Sequence, residues 1–325
     1  MIISLLMTTY NGEKYIEEQL ESIRKQTRRP DKVLIIDDKS SDNTVSIIEN
    51  YINHHQLGNW SIKVNKENKG WKKNFWDGLK NIGGDIIFLC DQDDIWDLEK
   101  IQIMTDVMNN NPKIKLLACG FEGLYETGNK QKISSTIEKS MGETGEVKRF
   151  QFNASFAYVL RPGCSYAIKP ELWELANEFW HEIIPHDALL WRVAALLDSL
   201  YFLDSKLIRW RRFNTNSSNP YSLEEKYKNK NMMMYSNILE NVIKSDVICF
   251  ERLVDFAKVN SDILGKEKCQ IVQRSYAYQK ALEKSFTEKS IIQMISIWFS
   301  YGKYFYSGRT YIKYLLLIIG AKVLK

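Results

Sequence analysis

Residues 86–94 read Ile86-Ile87-Phe88-Leu89-Cys90-Asp91-Gln92-Asp93-Asp94, five apolar side chains followed by three carboxylates within four positions. A short unbroken apolar run fits a strand buried on both faces, as in a parallel sheet covered by helices. Similar runs stand at 2–7, 32–36, 60–64 and 114–119. Between them apolar residues recur at helical spacing: Tyr15, Ile16, Leu20 and Ile23, then Val45, Ile48, Tyr51 and Ile52, then within 71–82 and 98–108. This alternation predicts an α/β fold with a mainly parallel sheet. In such sheets ligands bind beyond the carboxyl ends of the strands. The polar residues expected there are 8–11, Asp37-Asp38 and the acidic run 91–94.

Three carboxylates this close repel one another unless a cation or a solvated loop separates them. Mg²⁺ or Mn²⁺ bridging to a diphosphate would use them, since both metals favour carboxylate and phosphate oxygens. The plainer reading is a solvated acidic turn that caps the next helix. It is weakened by position, because Asp38 and Thr9 converge on the same sheet edge. Gln102 stands where an EF-hand needs its bidentate Glu, and the EF-hand's turn glycine is missing. The first strand is followed by Thr8-Thr9-Tyr10-Asn11-Gly12 rather than G-x-G-x-x-G, which removes the main support for a dinucleotide-binding dehydrogenase.

Composition sets wider bounds. The 325 residues are 44% hydrophobic and 26% charged, with 16 Gly and 6 Pro, so disorder and low-complexity assembly are excluded. Five cysteines without a C-x-x-C pair point to a reducing compartment. The N-terminal apolar run is too short for a signal peptide, and no uncharged stretch reaches the ~18 residues a transmembrane helix needs. Residues 170–179 and 186–197 read as helices, 201–208 as a strand, 120–150 as loops and a hairpin, and the chain beyond Pro220 as helical. The expected organisation is a first domain over 1–220 and a helical region over 221–325.

Charge is unevenly spread. The total is +5, from 45 Lys and Arg against 40 Asp and Glu. Residues 289–325 hold six of the cations and no acid, leaving 39 against 40 in residues 1–288. Aromatic residues are interleaved with the cations of this tail. Helices of that kind, too short to span, describe a membrane-surface anchor. Nucleic acid is disfavoured, because basic single-strand binders present aromatics on sheets or OB-folds. A helical packing module or homo-oligomer interface is the other reading.

The runs T-T-Y-N-G-E-K-Y-I, I-I-D-D-K-S-S-D-N-T, N-K-G-W-K-K-N-F and D-Q-D-D-I-W stand in that order within the first 110 residues. Together they resemble family 2 glycosyltransferases, and more narrowly the bacterial rhamnosyltransferase-like branch. The resemblance implies a GT-A fold (Rossmann-like, mainly parallel), a UDP- or dTDP-linked sugar donor, a divalent metal (Mn²⁺ or Mg²⁺) and inversion at the anomeric carbon. It assigns Thr9, Tyr10 and Glu13 to the nucleotide pocket, Asp38 to a pyrimidine N–H, and Lys73 with Asn74 to the base or phosphate side. Asp91 would lie near ribose and metal, with Asp93 the principal metal ligand and Asp94 a further contributor. Ordinary packing is the plainer reading of Tyr10 and Trp71, and structural capping the favoured one of Asp37.

Displacement at a sugar carbon needs a base for the acceptor hydroxyl and electrostatic support for the departing diphosphate. The resemblance makes Asp187, in Pro185-His186-Asp187, the base; an N-cap aspartate is the alternative. His186 would bond to phosphate or orient Asp187. Gly163, in a small-residue loop, would allow close backbone approach. Arg211 and Asn216 match an Arg-Gln-His-x-x-Asn segment, but Arg212 replaces the glutamine and Phe213 the histidine. Arg212 would compensate the charge, and strict metal dependence is left open. The expected acceptor is a lipid-linked glycan in bacterial surface polysaccharide synthesis, with rhamnose a candidate sugar. The expected location is cytoplasmic, peripheral on the inner face of the plasma membrane. A catalytically silent nucleotide-sugar-binding scaffold is the alternative, motivated by Phe213. A metal-dependent phosphohydrolase has only the Asp cluster behind it.

Overall fold

The computed structural model describes residues 1–126, 137–138, 140–212, 232–302, 314–315 and 318, with 232–238 described for backbone only. Its strands are β1 (Ile3–Thr9), β2 (Lys32–Asp37), β3 (Trp60–Val64), β4 (Ile86–Cys90), β5 (Ile95–Trp96), β6 (Leu116–Tyr125), β7 (Val147–Arg149), β8 (Tyr166–Ile168) and β9 (Leu200–Arg212). The helices are α1 (Ile16–Arg24), α2 (Thr44–His54), α3 (Trp71–Ile82), α4 (Lys100–Asn110), α5 (Pro170–Asn177), α6 (His186–Leu196), α7 (Met232–Val259), α8 (Ser261–Thr287) and α9 (Ile291–Tyr301).

All the described strands form one sheet in the order β3-β2-β1-β4-β8-β6-β9-β5, with β7 also paired to β9. β3, β2, β1 and β4 run parallel, and every residue of β1 and β4 is buried, as their unbroken apolar runs require. Helices cover them through apolar stripes: Ile16, Leu20 and Ile23 on α1, and Phe75, Trp76, Leu79 and Ile82 on α3. The chain order reverses at β1, which β2 and β4 flank, so the carboxyl ends of these strands border a crevice. The rest of the sheet is mixed. β8 pairs antiparallel with both β4 and β6, β9 runs parallel to β6, and β5 and β7 pair antiparallel with β9.

The stretch expected to be loops from Gly120 onward departs from that expectation. β6 continues to Tyr125, pairing with β9 through register shifts on either side of Gly120. Its outer half is held by a partner nearly ninety residues away in sequence, which local periodicity does not reveal.

Residues Met1–Gln151, Val159–Glu178 and Pro185–Arg212 form one compact unit. A second takes Phe152–Tyr158, Phe179–Ile184 and the described residues beyond 212. Its core includes Leu239, Ile243, Tyr278, Leu282, Phe286, Met294 and Ile297. Phe156 meets Phe250, and Phe179 meets Phe256, edge to face, so the two short segments are stitched to α7. α8 breaks at Gly265, whose φ of 75° is left-handed.

Candidate functional site

Three loops leave the carboxyl ends of β1, β2 and β4, and hydrogen bonds tie them together. Asp37 accepts from the Thr9 hydroxyl at 2.8 Å, from the Ser40 amide at 2.7 Å and from the Ser40 hydroxyl at 2.6 Å. It is the structural cap anticipated for it. Glu13 accepts from the backbone and side-chain amides of Asn43, at 3.0 and 2.9 Å, at the start of α2. Gln92 reaches across from the acidic loop: its Oε1 accepts from the Tyr10 amide at 2.8 Å and its Nε2 donates to the Tyr10 carbonyl at 3.0 Å. The Tyr10 side chain is 48% exposed, so packing does not account for it. No motif marks Gln92 for this role, although a carboxamide among three carboxylates is the one side chain there that both donates and accepts.

Asp38 is buried and accepts from the amides of Lys69 and Gly70, both at 2.8 Å, and from Asn65 Nδ2 at 2.9 Å. Of its four lone-pair positions, one on Oδ2 remains on the count of these bonds. Asn74, assigned to the base or phosphate side, is 1% exposed and turned inward. Its Nδ2 donates to the Ile36 carbonyl at 3.0 Å and its Oδ1 accepts from Asn65 at 2.8 Å. Both ends of the amide are thus spent bracing α3 against the sheet. Lys73 is paired at 3.4 Å with Asp77, one turn along α3.

The acidic loop is crowded. Carboxylate oxygens of Asp91 and Asp94 and the Cys164 Sγ all lie within 4.8 Å of one another. Burial is the first cause that raises the carboxyls of Asp91, Asp93 and Asp94, and mutual repulsion adds to it at Asp91 and Asp93. Asp187 contributes to the repulsion at Asp91. Asp94 accepts at Oδ1 from the Arg211 amide at 2.9 Å, while its buried Oδ2 has no hydrogen-bond partner among the described residues. The Cys164 thiol is itself pushed well up by burial, so it stays protonated and is a poor ligand for a hard cation. The carboxylate oxygens, carrying repulsion and an unfilled acceptor, fit Mn²⁺ or Mg²⁺. The close grouping centres on Asp91 and Asp94 rather than on Asp93, the ligand expected to lead. The Arg211 charge pulls the carboxyls of both Asp93 and Asp94 downward, against the effect of burial.

Arg211, at the end of β9, lies over the Tyr15 ring at 4.5 Å, donates from Nε to the Asp93 carbonyl at 2.7 Å and pairs with Glu18. Its side chain is 11% exposed, so the guanidinium braces the acidic loop as it stands. Arg212 is buried over the Trp210 ring at 4.1 Å. Asn216 and Phe213 lie outside the described residues.

Asp187 stands in the first turn of α6 and accepts from the Ala188 amide at 2.8 Å. His186 is buried, stacked on Phe75 at 4.0 Å and edge-on to Trp71 at 5.7 Å. Among the described residues neither of its ring nitrogens has a hydrogen-bond partner, and no such bond joins it to Asp187. Burial pushes its pKa down to about 4, with Asp187 pulling the other way. Gly163 passes directly over this pair: a Cβ there would lie 2.9 Å from His186 Nε2 and 3.1 Å from the Asp187 Cβ. The close approach that Gly163 makes here is to the start of α6. Lys72, which no motif singles out, lies near enough to Asp187 for their charges to interact.

Residues 4–161 match the family described as Glycosyl transferase family 2. A dTDP-rhamnosyl transferase, RfbG, of Shigella flexneri is 31% identical over 244 residues, covering 71% of this chain and 79% of that protein. The crystal structure of S. aureus TarS 1–349 in complex with UDP has a TM-score of 0.54 at 18% identity, over 89% of this chain and 92% of that one. The mannosyltransferase PcManGT from Pyrobaculum calidifontis, in complex with GDP-Man and Mn²⁺, has a TM-score of 0.52 at 14% identity, over 99% and 86%. These structures share the fold, the GT-A arrangement of sheet and covering helices. With the ordered motifs on the carboxyl edge of that sheet, and a relative matched over most of its length, the chain belongs to glycosyl transferase family 2 and is a glycosyltransferase.

Proposed function

We propose that this enzyme transfers a sugar, with inversion, from a dTDP- or UDP-linked donor to a hydroxyl of a lipid-linked glycan, and that Asp187 is the general base. The observation that carries this reading is that one turn joins the start of α6 to the acidic loop: Gly163 lies against Asp187, and the adjacent Cys164 Sγ lies within 4.8 Å of carboxylate oxygens of Asp91 and Asp94. A base must stand close to the reacting carbon, on the side opposite the leaving diphosphate. Asp91 and Asp94, with Asp93 beside them, would hold Mn²⁺ or Mg²⁺, and a divalent ion so held supplies charge neutralisation for the diphosphate. The chain's own residues do the rest. Tyr10 and Asp38 receive the nucleotide, Arg211 keeps a cation against Asp93, and Asp187 takes the acceptor proton. A dTDP-linked rhamnosyl donor is favoured by the identity to the Shigella transferase.

Asp187→Asn keeps the shape of the side chain and removes its basicity. It is expected to lower transfer on the order of 10²–10⁴-fold, the usual contribution of a general base. Binding of dTDP with Mn²⁺, followed by calorimetry, is expected to stay at the wild-type level. Transfer within a few-fold of wild type would remove Asp187 as the base.

The acceptor reading rests on the cationic, aromatic segment 289–325. α9 presents Ile292, Ile295, Trp298 and Phe299 outward, while Met294 and Ile297 pack inward. Such a helix suits enzymes whose acceptor lies in a membrane, and the location proposed is the inner face of the plasma membrane. Among the described residues no helix is long and apolar enough to cross a membrane.

A further inference from the structure

Lys100 is the first residue of α4, where the helix dipole disfavours a cation, and it is completely buried. Its Nζ lies 3.3 Å from the centroid of the Trp96 ring and donates to the Cys164 carbonyl at 2.8 Å. Burying an ammonium is costly, and an apolar side chain of the same length would fill the space more cheaply. Asp91 and Asp94 lie close enough for their charges to interact with it. The turn it holds, Gly163–Ser165, touches both halves of the site. The Cys164 Sγ lies with the carboxylates of Asp91 and Asp94, while Gly163 lies against Asp187.

We propose that Lys100 is a positioning residue for sugar transfer: its buried ammonium, bonded to the Cys164 carbonyl, holds the Gly163–Ser165 turn as a spacer between the acidic loop and Asp187. The inference deepens the assignment of the acidic loop to the donor and Asp187 to the base, and it rests on that assignment. Lys100 touches neither substrate. Through the turn, it fixes how far the base stands from the donor.

The test compares wild-type protein with Lys100→Met, which keeps length and removes charge and donor. Hydrogen exchange on the full chain without ligand reads the turn directly. Amides of 163–166 and 186–190 are expected to exchange at least tenfold faster in Lys100→Met, with β1 and β2 unchanged. Release of dTDP from dTDP-rhamnose with Mn²⁺, water standing in for the acceptor, reads the consequence. kcat is expected to fall at least tenfold with KM within threefold of wild type. Gly163→Ala approaches the same spacer from its other side and is expected to give the same kcat-selective loss, so the idea stays open to refutation if Lys100→Met does not fold. Unchanged exchange in both segments, or a loss that lies wholly in KM, overturns the proposal. A wild-type enzyme that binds neither dTDP nor UDP in Mn²⁺ counts against the assigned function instead, and the exchange comparison still decides Lys100.

Discussion

His186 is buried and stacked on Phe75, with no partner for either ring nitrogen among the described residues, so burial holds it neutral in the folded state. With a pKa near 6.5 when unfolded and about 4 when folded, the ring takes up its proton more readily in the unfolded chain. Its contribution is therefore complete above pH 6.5 and falls as the pH drops from there to 4, by at most about 3 kcal/mol. His186→Phe keeps an aromatic ring against Phe75 and has nothing to protonate. Urea denaturation of both proteins at pH 7 and pH 4 is expected to show wild type losing about 3 kcal/mol more than the variant. Equal losses would mean that the histidine titrates normally and that the buried ring is not what the folded state keeps neutral. The same residue shows what a motif conceals. Beside an aspartate, His186 looked like a partner for Asp187 or phosphate, but its surroundings come from α3, more than a hundred residues earlier. Lys100 is the converse case: by helical spacing it reads as an ordinary polar position, and only the folded chain brings Trp96 and Cys164 around it.

Elements whose signal was local were legible. β1, β2 and β4 announced themselves as apolar runs, and the helices between them as stripes, because both faces of the parallel half are buried. β5, two residues long, and the outer half of β6 carried no such signal, since each is held by β9. Gly120 marks where that pairing changes register. A Cβ there would lie 2.9 Å from the Ser205 carbonyl oxygen and 3.2 Å from its carbon, both backbone atoms of β9 that cannot swing aside. Gly120→Ala is therefore expected to destabilise the protein by about 1–3 kcal/mol, the usual cost of overpacking, read as a lowered urea midpoint. Because β9 carries Arg211 to Asp94 and the Asp93 carbonyl, dTDP–Mn²⁺ affinity is expected to weaken with it. A variant as stable as wild type, with unchanged affinity, would show that β6 and β9 do not need this close approach.

Along the full chain, six cations and no acid fall in residues 289–325, against near neutrality before them. The outward face of α9 adds Ile292 at 81% and Phe299 at 83% exposed, a cost in water that membrane insertion would remove. Each cation near an anionic surface contributes about 1 kcal/mol, and each large apolar side chain that inserts roughly 1.5–3 kcal/mol. The two contributions separate experimentally. Salt screens the first over about 8 Å at physiological strength and leaves the second largely intact. Wild-type protein is expected to co-sediment with phosphatidylglycerol vesicles and only weakly with phosphatidylcholine vesicles. Half-molar NaCl is expected to weaken the first interaction without abolishing it. Ile292→Ser with Phe299→Ser is expected to reduce phosphatidylglycerol binding at least tenfold while leaving dTDP–Mn²⁺ affinity untouched. Equal binding of the double variant would show that α9 does not insert. Equal binding to both lipids would show that the clustered charge does not draw the enzyme to an anionic surface.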